Sequence, residues 1–478
     1  MNRSLLLVAA TGALAVGALL LGKPPPPPAP PAPVVTDTSH TVRRPEDPPA
    51  VHTLPRVSAE PAGGAVTMYG KLSGGYVQTG PSEAFAWLEL QARPPDAQQR
   101  VPVSLALVLD RSGSMAGRKL EDARHAAREL VMRLTPEDRL AFIDYGTDVR
   151  VHHSRKMTPE AREELLSLIA SLSGDGSTNI SGALEAATEA LRPHMHEYRV
   201  SRAIMLSDGQ PTTGLTNDSD LFQQAHRLRR DGVTISALGV GRDYQELLMR
   251  GIAEQGGGFS GFIDDSSRLA EVFARELDQA TSTVARQLEL RLDVPPEVQH
   301  VDVMGMASYR EGNVLKVPLY DLAGSQTVRV VTKLTLKTEQ TAGTLALVNA
   351  RLHYVDVVRD MPIETGLQLS AQVTNDMERV RAHLDKEVRV HATRALGTQQ
   401  MVAAAEEMKL GNKAKARSLL DNARTIFGTS ADALSGELAD VHSSQAALQG
   451  AANAEQEQAE SRNLLKKSIR NFGQNNTY

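Results

Sequence analysis

Between Val103 and Gln279, short apolar runs alternate with amphipathic stretches, and this rhythm constrains the fold more than any other feature of the chain. Ser104–Leu109 is an apolar run of the kind found in a strand buried on both faces. It is followed by a stretch with Leu120, Ala123, Ala127, Leu130 and Leu134 on one helical face. The alternation continues with strands at Leu140–Tyr145 and Val149–His152 around a Gly146-Thr147 turn. Thr158 and Pro159 then read as the cap and first position of a helix reaching Leu172. Ile180–Leu191, Asp220–Arg230, Tyr244–Gln255 and Arg268–Gln279 read as helices, and Arg202–Ser207, Val233–Val240 and Phe259–Ile263 as strands. Strands alternating with helices of this size predict an α/β fold with a doubly wound, mostly parallel sheet.

The flanks follow other rules. Residues 64–100 carry two β-type segments, Ala65–Val77 and Ala84–Leu90, separated by turn signals. After Thr283 the period switches to two: Leu288, Leu290, Leu292 and Val294 alternate with charged residues, and residues 284–373 read as an antiparallel β domain. Residues 374–470 are predicted helical, with Met377–Met408 and Ala414–Phe427 joined at Gly411-Asn412 as an αα-hairpin. Further helices are expected at roughly Asp432–Gln449 and Glu455–Ser468, before a polar tail at 471–478.

Arg3 precedes an apolar run from Leu5 to Leu21. Residues 1–22 read either as a signal peptide or as a single membrane anchor, and both place the rest of the chain outside the cytoplasm. Pro24–Pro33 is proline except at Ala29 and Ala32. Such a run favours a polyproline II rod of about 30 Å within a disordered linker over 23–63. The chain of 478 residues has no cysteine, which removes thiol catalysis, disulfides and Cys-ligated metals together. A net charge of −5 and only 4% aromatic residues give no support for nucleic-acid binding.

The segment with most chemistry is Asp110-Arg111-Ser112-Gly113-Ser114, directly after the buried run. In a doubly wound sheet, ligands bind beyond the carboxyl ends of the strands. One carboxylate and two hydroxyls on a single turn are the oxygen donors that Mg²⁺ or Ca²⁺ takes. Thr178 lies just before the helix at Ile180, and Asp208 lies in Ser207-Asp208-Gly209 at the end of another strand. Three loops on one sheet edge are thus expected to bring oxygen to one divalent cation through Asp110, Ser112, Ser114, Thr178 and Asp208. Asp144, Asp148 and Asp175 are read as loop and turn residues.

These residues and their order resemble the metal-ion-dependent adhesion site of von Willebrand factor A domains, over roughly Val101 to Asp278. The resemblance takes in Gly232–Gly241 and Gly256-Gly257-Gly258. It implies direct ligation by Ser112 and Ser114, by Thr178 directly or through water, and by the two aspartates often through water. It also implies a vacant position that accepts a partner's Asp or Glu. With Asp110 and Asp208 opposing the cation the assembly is close to neutral, and affinity should be weak, with Kd about 10⁻⁴–10⁻³ M. Outside this region the chain looks similar to bacterial proteins labelled calcium-activated chloride channel homologues and to inter-alpha-trypsin inhibitor heavy chains. That likeness implies a β-sandwich pairing residues 64–100 with 284–373 around residues 101–280. The channel label carries no weight, because the chain has one hydrophobic segment.

His152-His153 and His194-Met195-His196 are poorer metal candidates, lacking a third ligand. No nucleophile elbow, His-Glu-x-x-His or phosphate-binding loop is present. The expected function is a binding module rather than an enzyme: metal-dependent adhesion to a protein partner at the cell envelope. The alternative is an envelope scaffold in which the metal is only structural.

Overall fold

The computed structural model describes residues 54–61, 63–95, 100–241, 245–263 and 265–473. The signal-peptide or anchor segment, the proline run, the linker up to residue 53, Tyr244 and residues 474–478 lie outside them, while the end of the expected linker carries a short strand at Val57–Ala59. Among the described residues, no helix is long and apolar enough to cross a membrane.

Four strands open the described chain: β1 (Val57–Ala59), β2 (Val66–Leu72), β3 (Tyr76–Gln78) and β4 (Gly80–Ala92). Then comes the α/β region: β5 (Val103–Asp110), α1 (Arg118–Arg133), β6 (Arg139–Tyr145), β7 (Val149–Lys156), α2 (Pro159–Ala170), α3 (Ile180–Leu191) and β8 (Val200–Ser207). It closes with α4 (Asp218–Arg230), β9 (Thr234–Val240), α5 (Glu246–Gly256), β10 (Gly257–Ile263) and α6 (Leu269–Thr281). The sheet order is β10-β9-β8-β5-β6-β7, parallel except for the antiparallel edge strand β7.

Strand β5 shows why its sequence has no polar alternation. Val103, Leu105, Leu107 and Leu109 enter one core with α1, α2 and α6, while Ala106 and Val108 enter the opposite core with α3, α4 and α5. Both faces are dry, so both parities are apolar. The Gly-Gly-Gly run has a steric cause at Gly258, where a Cβ would sit 2.4 Å from the Ile235 carbonyl oxygen on β9.

The chain returns to antiparallel pairing with β11 (Thr283–Asp293), β12 (Val298–Val303), β13 (Tyr309–Glu311), β14 (Val314–Pro318), β15 (Leu322–Ala323), β16 (Thr327–Thr338), β17 (Gly343–Asp356) and β18 (Met361–Thr374). These complete two sheets begun before the α/β region: β1-β2-β4-β16-β12, and β13-β14-β11-β17-β18-β3. Strands β4 and β16 run antiparallel along twelve paired positions, from Gly80↔Thr338 to Gln91↔Thr327. One apolar core holds residues of both sheets, among them Leu88, Leu90, Leu290, Leu352 and Leu369. The α/β region is therefore inserted between β4 and β11 of a β-sandwich. Its two ends meet, the Val101 amide donating to the Thr281 carbonyl at 3.1 Å.

Helices α7 (Met377–Ala382), α8 (Lys386–Lys409), α9 (Lys413–Gly428), α10 (Ser435–Gly450) and α11 (Ala454–Asn471) complete the described chain. The single helix expected over Met377–Met408 is two. Asp385 interrupts it as the cap of α8, accepting the Val388 amide at 2.9 Å. Its other carboxylate oxygen takes the Leu54 amide at 2.8 Å and lies 3.4 Å from Lys71 Nζ on β2. Burying that carboxylate against the sandwich outweighs continuing the helix. The cap itself is a residue type that favours such a break.

Candidate metal centre

The sheet order reverses direction between β5 and β8: the chain leaves β5 toward β6 on one side and later returns to β8 on the other. A crevice opens at such a switch point, beyond the carboxyl ends of the two strands. Asp110 is the last residue of β5, and Asp208 immediately follows β8. Parallel pairing puts Leu109 opposite Leu206, which brings the two acids to one edge.

Four of the five expected donors form one hydrogen-bonded chain. Asp110 Oδ1 accepts the Ser112 amide at 2.8 Å, and Asp110 Oδ2 accepts the Ser207 hydroxyl at 2.7 Å. Ser112 Oγ and Ser114 Oγ are 3.1 Å apart, and Ser114 Oγ donates to Asp208 Oδ1 at 2.6 Å. Thr178 stands at the edge of this chain. Its hydroxyl lies 3.7 Å from where a Cβ on Gly209 would sit, a point only 3.6 Å from Ser114 Oγ. Its backbone is clamped to the loop after β8: the Thr178 amide donates to Thr212 Oγ1 at 2.9 Å, and the Thr212 amide to the Thr178 carbonyl at 2.9 Å. The next residue, Asn179, caps α3 by accepting the Gly182 amide at 3.0 Å, which pins this approach.

Asp110, Ser112, Thr178 and Asp208 are buried, while Ser114 is exposed. Burial pushes the Asp110 carboxyl above its ordinary range, against the hydrogen bonds from Ser112 and Ser207, and the nearby Asp208 adds to the rise. Two buried acids at one edge favour positive charge, one unit of which Lys119 already supplies at Asp208. The donor set fits a hard cation. Adjacent oxygens on an octahedral ion with bonds of about 2.1 Å are about 3 Å apart, as the two serine hydroxyls are here. Ser112 and Ser114 would hold such an ion directly and Thr178 directly or through water, with the two carboxylates behind them.

Three neighbours were not legible in the sequence. Ser207 fixes Asp110 through its hydroxyl. Lys119, on the first turn of α1, reaches Asp208 Oδ2 at 2.5 Å. Arg111 is buried beneath the serine loop, its Nε 2.6 Å from Asp144 Oδ1. Asp144 is thus no loop residue, correcting the sequence reading. It lies on β6, buried, and also takes His152 Nε2 at 2.8 Å. Sequence reading missed it because an acid inside a strand becomes interpretable only when its buried partner is known. Asp148 lies in the turn between β6 and β7 and is largely exposed. Asp175, between α2 and α3, donates its amide to the Arg111 carbonyl at 2.7 Å. Among the described residues, no group of three or more His, Asp or Glu converges as metal ligands, the His152-His153 and His194/His196 pairs included.

The family model for the von Willebrand factor type A domain matches residues 104–275. Curated relatives include YfbK, an uncharacterized protein of Escherichia coli strain K12, 26% identical over 211 residues, covering 44% of this chain and 36% of that one. Human inter-alpha-trypsin inhibitor heavy chain H4 is 28% identical over 181 residues, covering 36% of this chain and 19% of the heavy chain. The matches therefore span about a third and a fifth of those relatives' lengths. Among solved structures, a von Willebrand factor type A protein from Catenulispora acidiphila superposes with a TM-score of 0.62 at 16% identity, covering 80% of this chain and 91% of that one. The ArnB paralog VWA2 from Sulfolobus acidocaldarius gives 0.56 at 17% identity, covering 84% and 99%. These likenesses extend the shared fold well beyond the α/β region. Residues 104–275 of this chain are a von Willebrand factor type A domain.

Proposed function

We propose that this domain is a metal-ion-dependent protein-binding module that engages an acidic side chain of its partner through one divalent cation, Mg²⁺ or Ca²⁺. The observation that carries the reading is the pair of serine hydroxyls 3.1 Å apart at the switch point, backed by Asp110 and Asp208 and edged by Thr178. Neutral hydroxyls leave a bound cation most of its charge, and the cation would supply Lewis acidity toward an incoming carboxylate. Ser112 and Ser114 do the holding. Asp110 and Asp208 position them and balance charge from behind. Ser114 is the exposed member, on the side a partner would approach. Binding rather than catalysis is the function, displayed outside the cytoplasm on the proline-rich segment.

Two measurements on the whole chain test this. Calorimetric titration should find one Mg²⁺ or Ca²⁺ per chain, lost in Ser112→Ala/Ser114→Ala. Pulldown from envelope extracts should recover a partner that EDTA or the same double variant releases. A folded wild type that takes up neither ion refutes the reading. Partner capture that survives both EDTA and the double variant shifts the function to the sandwich or the helices.

A further inference from the structure

Both oxygens of Asp208 are already engaged within the chain: Oδ1 accepts the Ser114 hydroxyl at 2.6 Å, and Oδ2 accepts Lys119 Nζ at 2.5 Å. The carboxylate is buried, so the ammonium is its neutralising charge rather than a loose surface partner. Lys119 is held from three directions. Its ammonium also lies 3.4 Å from the Ser114 carbonyl. Its stem fills the space beside Gly241, where a Cβ would stand 2.8 Å from Lys119 Cε and 3.1 Å from Nζ. Gly241 adopts φ +85°, a conformation that glycine takes without strain, so the backbone after β9 passes the lysine closely.

We propose that Lys119 is a positioning residue that sets the affinity and the electrophilicity of the cation site through Asp208. This inference rests on the metal-binding reading and goes one step further. With Lys119 on Oδ2, Asp208 is kept from direct ligation and serves behind Ser114. The charge count changes accordingly. A divalent ion, two aspartates and one lysine sum to +1, where the acids alone would bring the site to neutral. The site then binds its ion less tightly and attracts an anionic partner group more strongly. One positive charge added in the neighbourhood of a divalent ion, in a water-like dielectric, shifts affinity by about tenfold.

The test uses the full chain as wild type, Lys119→Met and Lys119→Arg, with Mg²⁺ alone as the probe. Calorimetric titration should give Mg²⁺ binding about tenfold tighter for Lys119→Met than for wild type, while Lys119→Arg, which keeps the charge, stays within about twofold of wild type. Thermal melting adds a second readout. In EDTA the Met variant melts below wild type because Asp208 has lost its counter-charge, and saturating Mg²⁺ narrows that gap. Mg²⁺ binding by Lys119→Met that is unchanged or weaker than wild type overturns the proposal. So does a melting deficit that is the same with and without Mg²⁺. Absence of Mg²⁺ and Ca²⁺ uptake by wild type and both variants overturns instead the cation-site reading beneath it.

Discussion

Replacing Asp144 by alanine should loosen the floor of the metal centre without touching any of its proposed ligands. In the native fold Arg111 Nε and Asp144 Oδ1 are 2.6 Å apart, with side chains 6% and 2% exposed. Removing the acid strands a buried guanidinium. Breaking a buried pair from one side costs about 3–5 kcal/mol. Two contacts soften the loss: Asp148 Oδ2 and the Asp175 carbonyl, each 3.4 Å from the guanidinium, the former on a largely exposed side chain. The lower end, about 3 kcal/mol, is therefore expected. Hydrogen exchange read by mass spectrometry over residues 104–115 and 139–146 gives the assay. Opening that is easier by about 3 kcal/mol speeds exchange of the slow amides there by about a hundredfold. Arg111→Met added to Asp144→Ala should recover part of the loss, since no charge is then left buried. Exchange unchanged in Asp144→Ala, or a double variant no better than the single, would refute the view that this pair supports the loop.

The junction between sandwich and helices and the core of the helical region each offer one more test. His391 on α8 stacks on Trp87 at 5.2 Å, and burial, helped by Arg394 and Arg329, holds its pKa down to about 4. The unfolded chain takes up this proton below about pH 6.5 and the folded chain only near 4, so the contribution is complete above 6.5 and declines as pH falls between those values. That interval amounts to about 3 kcal/mol, and urea unfolding from pH 7 to 4 should show His391→Gln losing correspondingly less stability than wild type. An identical pH profile in the two proteins would contradict it. Gly397→Ala pits two effects against each other. Alanine favours a helix by up to about 1 kcal/mol, but its Cβ would sit 2.3 Å from the buried Phe427 ring. Overpacking of about 1–3 kcal/mol should win. A variant that melts higher than wild type would show that the ring has room to move.

The α/β alternation, the antiparallel flank and the helical end were all legible in the residues, because apolar periodicity reports which faces lose water along one continuous segment. Asp110, Ser112, Ser114, Thr178 and Asp208 could be picked out for a related reason. Each sits where a strand or helix terminus is marked locally, and strands laid in parallel put such termini on one edge. The partners of those residues were another matter. Whether Asp144 is a turn acid or the buried mate of Arg111 depends on the register of β6 beside β5. That Lys119 belongs to Asp208 depends on how α1 packs above the end of β8. The break at Asp385 depends on Lys71, 314 positions earlier in the chain. A polar side chain satisfied by a distant one leaves no periodic trace, since its cost and its compensation arise only once both have been removed from water together.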